Sequence, residues 1–140
     1  MSWPRWLLRL IPALAPRGTW ADAVRVTDAV ALARLDRCYA ETVDWCRARG
    51  FPIQSPACRV VLRVWPDHLR PPDDFGIGKV LAPEEIKGDA HGTMLVKRGY
   101  LHADWLLRHE SAHAITGITD HPAWLFAPDG LSLSIPREAP

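Results

Sequence analysis

Hydrophobic and polar residues recur along this chain with two periods, and the switch between them outlines the fold. From Thr27 to Arg49, Leu32, Leu35, Tyr39, Thr42 or Val43, and Cys46 follow the i, i+3, i+4 rhythm of a helix with one buried stripe. Arg34, Asp36, Arg37, Glu41, Asp44 and Arg47 populate its other faces, Thr27 is placed to cap its start, and Gly50 and Pro52 end it. From Arg59 to Trp65 the period drops to two, with Val60, Leu62 and Val64 alternating against Val61, Arg63 and Trp65, which predicts a strand. Asp67–Asp74 is polar, contains Pro71-Pro72 and reads as a loop. Phe75–Ala82 reads as a short strand whose Gly76 and Gly78 suit a sheet edge. A turn-rich stretch over Glu84–Ala90 leads to a third strand at Thr93–Lys97. Asp104–Thr116 contains neither Pro nor Gly, and Leu106, Leu107, Ala112, Ala114 and Ile115 suit a buried helix. Asp104 favours the positive end of its dipole, and Gly117 supplies a stop. The order helix, three strands, helix predicts an α+β domain: a backing helix and a short mixed or antiparallel sheet packed on the second helix.

Composition narrows the classes. At 140 residues the expectation is one domain, spanning 21–140, preceded by a segment over 1–20. A hydrophobic content of 48% is enough for one core, and a net charge of +1 gives no nucleic-acid footprint. No stretch approaches the ~18 consecutive apolar residues of a membrane span. Met1–Arg17 carries basic residues, an apolar stretch and Ala13-Leu14-Ala15, which resembles a secretion signal and would imply a secreted or cell-envelope protein. Arg9, Pro12 and Pro16 count against that. The alternatives are an amphipathic segment that packs Trp3, Trp6, Leu7 and Leu10 on the domain or a membrane surface, and a cytoplasmic location. Of the cysteines, Cys38 and Cys46 lie about 12 Å apart along one helix, too far to bridge. Either could pair with Cys58; three buried thiols is the simpler reading. No C-x-x-C occurs to suggest a second metal site.

The chemistry concentrates in His109-Glu110-Ser111-Ala112-His113, an H-E-x-x-H on the second helix. Residues four apart on a helix lie about 40° apart around its axis and about 6 Å apart along it, so both imidazoles leave one face on neighbouring turns. Two nitrogens can then reach one Zn²⁺ at about 2.0–2.1 Å. Glu110, about 100° round from His109, need not ligate the metal and can take a proton from the water the metal activates.

A catalytic zinc ordinarily has three protein ligands. His121 follows His113 by eight positions, beyond a reversal at Gly117, and Pro122 biases its backbone toward an extended form. His121 is the first choice for the third ligand. Asp120 is the second choice, with an alternative role orienting an imidazole from behind. Asp129 and Glu138 are the remaining downstream carboxylates. Tyr100, His102 and His91 are weak candidates for a second oxyanion donor.

The segment from His109 to His121 resembles the zincin metallopeptidases and, in part, the metzincins, in which a Gly and a third His follow the motif. It departs from the metzincin pattern in two ways. Gly117 and His121 stand four and eight residues after His113, where that pattern has three and six, and no methionine lies downstream to make a Met-turn. The resemblance covers Gly92–Phe126 and implies zinc-dependent hydrolysis of a peptide or protein substrate. Zn²⁺ would be held by His109, His113 and His121, with Glu110 as general base and an edge strand, here Phe75–Ala82, pairing with extended substrate. The competing expectations are a non-catalytic zinc module, a zincin-like binding partner and a zinc hydrolase acting on another amide.

Overall fold

The computed structural model describes residues 4–10 and 15–126. Trp3, Asp129 and Glu138 lie outside the described residues, as does the side chain of Leu10. Among the described residues three α-helices, α1 (Arg5–Leu10), α2 (Ala29–Ala48) and α3 (Asp104–Thr116), accompany a four-stranded mixed sheet of β1 (Val24–Arg25), β2 (Val61–Trp65), β3 (Gly78–Leu81) and β4 (Thr93–Lys97). Among the described residues no helix is long and apolar enough to cross a membrane. The chain divides into two compact units, Met1–Val26 with Val61–Tyr100, and Thr27–Val60 with Leu101–Pro140. On α1, Trp6 is exposed.

The first unit carries the sheet, in the order β1-β2-β4-β3. β2 and β4 are parallel, from Val61 opposite Thr93 to Trp65 opposite Lys97; β1 and β3 add antiparallel edges. β4 is a central strand, and its Thr93 to Val96 are all buried. β3 is an edge, as read, but shorter than Phe75–Ala82. Asp74 Oδ1 accepts from the Gly76 N–H in a turn, and Phe75 leaves the strand line for the core. There it meets Trp20 and Trp65 edge-on, with ring centroids 5.9–6.3 Å apart across the three. Gly92, at φ +90°, starts β4; a Cβ there would come within 2.8 Å of the Leu81 carbonyl oxygen.

A buried ion pair ties the sheet together. Arg63 of β2 donates to both Asp89 oxygens at 2.8 and 2.9 Å, Thr93 of β4 donates to Asp89 Oδ2 at 2.6 Å, and Arg63 also reaches the Ala23 carbonyl beside β1. The hydrogen bond from Arg63 is the main cause holding the Asp89 carboxyl below its ordinary range.

The second unit is a helix pair. α2 starts one residue later than the Thr27 cap suggested: Asp28 accepts from the Ala31 N–H. Its buried stripe is Ala31, Leu35, Cys38, Tyr39, Thr42, Val43 and Cys46. Leu32, expected in that stripe, is exposed, because the first turn rotates Ala31 inward instead. α2 packs on α3 through Tyr39, Val43 and Cys46 against Ala112 and Ile115, with Leu125 and Phe126 closing the cluster. Burying a side chain such as Ile115 or Phe126 contributes about 1.5–3 kcal/mol. The flanking ion pairs, Arg34 and Arg37 to Asp104 and Arg108 to Glu41, are half-exposed and contribute about 0–1 kcal/mol each. The apolar seam therefore holds the helices together, and the ion pairs set their register. All three cysteines are free, so neither pairing with Cys58 occurs. Burial pushes each thiol up to about 11.

Asp89→Asn leaves the partly buried Arg63 guanidinium without its counter-charge and is expected to cost about 1.5–3 kcal/mol in urea unfolding at pH 7. Because the folded-state carboxyl titrates below its unfolded value of about 3.9, its contribution is full above that value and is lost as pH falls through the folded pKa. The stability gap between the native chain and the variant should therefore close in acid, below about pH 4.

Candidate metal centre

α3 spans the stretch its composition predicts, Asp104–Thr116, and ends at Gly117 in the left-handed conformation, φ 73°, whose N–H closes on the His113 carbonyl at 2.9 Å. Gly117 is required by its φ; a Cβ there would also displace the end of the exposed Gln54 side chain. The backbone N–H groups of Gln54 and Ser55 both donate to the Ile115 carbonyl, at 2.6 and 3.1 Å, capping the helix from the chain that follows α2. Tyr39 holds that chain in turn through a 2.6 Å hydrogen bond to the Ser55 carbonyl.

Beyond Gly117 the chain reverses and brings His121 over the helix. The Nε2 atoms of His109, His113 and His121 then form a triangle with sides of 3.1, 3.3 and 3.3 Å. Two nitrogens on one tetrahedral centre at 2.0–2.1 Å would be about 3.3–3.4 Å apart. The triangle therefore has the dimensions of a three-imidazole ligand set, and the three histidines could bind a metal ion. Hydrogen bonds among the rings do not explain it. His113 Nδ1 lies 2.6 Å from the Ile118 carbonyl, which fixes its proton on that nitrogen and turns the Nε2 lone pair toward the other two rings. With neutral rings no arrangement of protons bridges all three sides. A carbonyl behind a ligating imidazole is the orienting contact that metal-binding histidines ordinarily have. Burial lowers the His113 pKa, which further favours the neutral, ligating form.

Glu110 is 4% exposed, and its Oε2 lies 4.0 Å from His109 Nε2. Burial pushes its carboxyl up to about 7. A dication held by the neighbouring histidines would pull it back toward the ionised form. Glu110 stands beside the three-histidine cluster without being a member of it.

Of the residues weighed from sequence, His109, His113 and His121 are brought together. Asp120 is exposed and stands outside the cluster; the turn that presents His121 directs the preceding side chain elsewhere. His102 is exposed on the turn before α3 and is also outside it, while His91 and Tyr100 belong to the sheet-bearing unit. Two participants were not read from the sequence: the Ile118 carbonyl behind His113, and Phe126. Phe126 is 1% exposed, and its ring centroid lies 4.6, 4.8 and 5.1 Å from those of His109, His113 and His121. A backbone carbonyl carries no sequence signal, and a single Phe beyond the motif fits no spacing rule. No protein-family model, curated protein or solved structure matches the chain, so the chemistry is read from this geometry.

Gly117→Ala is expected to cost about 1–3 kcal/mol in thermal unfolding through the strained φ alone. It should also weaken metal binding, because the reversal that delivers His121 starts there. Both effects are read by comparing the melting curves of the native chain and the variant with and without added zinc.

Proposed function

We propose that this chain is a zinc-dependent metallopeptidase of zincin type, with His109, His113 and His121 as ligands and Glu110 as general base. The observation that carries the proposal is the triangle of Nε2 atoms with a buried carboxylate next to it on the same helix. Among the described residues no fourth His, Cys, Asp or Glu joins the cluster. Three protein donors with a coordination position to spare is the pattern of catalytic zinc, whereas structural zinc is enclosed by four. This favours the hydrolase over a non-catalytic zinc module. A purely structural centre would also have no use for a carboxyl that costs free energy to bury at Glu110.

Imidazole donors suit Zn, Cu, Fe and Ni alike; zinc is proposed because it is a Lewis acid with no redox chemistry of its own and is commonly held by three protein ligands in hydrolytic sites. When bound, the ion would supply the lowered pKa of an attacking water and the polarisation of the scissile carbonyl. The chain's own residues do the rest. Glu110 accepts the proton of the attacking water at a carboxylate oxygen and passes it to the departing amine nitrogen as the C–N bond breaks. The hydrogen bond to the Ile118 carbonyl keeps the His113 ring in the ligating tautomer. The buried flank of α3 shields the Glu110 carboxyl from bulk water.

Glu110→Gln keeps the shape of the site and removes the base. It should retain stoichiometric zinc by mass spectrometry and lose about 10²–10⁴-fold in kcat/KM on a peptide library. His109→Ala should lose the zinc itself. Unchanged turnover in Glu110→Gln would remove Glu110 from the mechanism, and a native chain that binds zinc yet cleaves amides other than peptides would redirect the substrate class.

A further inference from the structure

Two of the three clustered histidines are fixed by their helix. His121 is not: it is exposed and follows a reversal, and among the described residues the ring contact it makes outside the histidine cluster is with the buried Phe126. With His113 protonated on Nδ1, neutral rings can bridge at most two of the three sides by N–H···N hydrogen bonds, so the contacts among the rings do not by themselves fix all three. Something outside the loop has to hold the third ring in place.

Phe126 has the geometry to do so. Its ring lies beneath all three imidazoles at 4.6–5.1 Å, tilted 36–57° to them, within the range in which aromatic pairs attract. It is itself fixed from two sides. The Phe126 and Leu125 N–H groups both donate to the Pro122 carbonyl, so the residue after His121 and the platform beneath its ring belong to one turn. The same turn is fastened to the end of α2 by an edge-to-face series: Trp45 to Phe51 at 5.4 Å and Phe51 to Trp124 at 4.9 Å. Leu125 and Phe126 sit in the apolar seam with Tyr39 and Ile115. Trp124 is about half exposed, yet its ring is engaged by Phe51, so the series ends at the turn that carries the ligand.

We infer that Phe126 is the positioning residue of the metal centre. Held by the helix seam and by the Trp45–Phe51–Trp124 series, it seats His121 against His109 and His113 before any metal arrives. The inference rests on the three-histidine metal site and is independent of which bond the enzyme hydrolyses. Removing the ring frees the loop ligand while leaving α3 and its two histidines in place, so metal affinity falls without loss of the helix pair.

The test uses the full chain and zinc alone, titrated against a chromophoric chelator, with far-UV circular dichroism and thermal melting of the metal-free protein in parallel. Phe126→Leu keeps an apolar side chain of similar reach. It is expected to retain native helicity and to bind zinc about 10–100-fold more weakly, the loss ordinarily seen when a contact behind a ligand is removed. His121→Ala should give a loss of its own, and the double variant should be little weaker than His121→Ala, because Phe126 acts through that ring. Unchanged zinc affinity in Phe126→Leu, or losses that simply multiply in the double variant, would overturn the assignment. Should Phe126→Leu fail to fold, Phe51→Leu, which touches no histidine, serves in its place. It is expected to weaken zinc binding several-fold by loosening Trp124, and unchanged affinity there overturns the assignment equally. A native chain that binds no zinc would remove the metal site itself, and a zinc-binding chain that cleaves no peptide would remove only the proposed reaction.

Discussion

Three imidazole nitrogens held within 3.1–3.3 Å of one another form the contact on which the rest of this structure depends. Neutral rings can bridge at most two of the three sides with hydrogen bonds, and the remaining side has to be held by the fold or by a cation. The fold's share can be traced outward from the rings. His109 and His113 are fixed by α3, α3 by the α2 seam and the Gln54–Ser55 cap, and His121 by the turn that ends in Phe126. Each layer is made of ordinary interactions, namely apolar burial, backbone capping and aromatic packing, and none has to be unusually strong. What is unusual is their convergence on one point.

Glu110 shows why that convergence bears on chemistry. A carboxylate buried to 4% exposure is costly unless it takes up a proton or a positive charge comes to it, and the histidines of its own helix stand beside it, His109 Nε2 at 4.0 Å. Helix periodicity sets the two roles apart: His109 and His113 share a face, and Glu110 is turned a quarter of the way round from it. One helix thus holds two of the three clustered histidines together with Glu110, and the spacing of those three residues does not depend on any loop.

The parts legible in the sequence were those governed by local rules. α3 and its stop at Gly117 followed from the absence of Pro and Gly over Asp104–Thr116 and the need for a left-handed residue after it. β4 followed from its length and apolar run. Where two neighbours could play one part, the local rule did not choose: Asp28 caps α2 in place of Thr27, and Ala31 faces inward in place of Leu32. β1 is two residues long, too short for a period-two pattern to register. His121 could be preferred over Asp120 by donor chemistry alone; the direction of the ring depended on the Pro122–Phe126 turn, whose role emerges only once distant segments meet. Phe126 and the Ile118 carbonyl were beyond reach for the same reason.

The division between helix-borne and loop-borne ligands has a kinetic side. With His109 and His113 on a helix braced by Arg108–Glu41 and Asp104–Arg34, an arriving ion finds two donors without waiting for the backbone to search. The stretch from Ile118 to His121 already stands closed over them, seated by the turn that ends in Phe126. When such a loop opens it recloses in about 10–100 ns, far faster than a chain that must fold around its metal. Uptake should then be limited by how quickly the ion sheds its hydration shell, and release by how long the single loop donor stays in place.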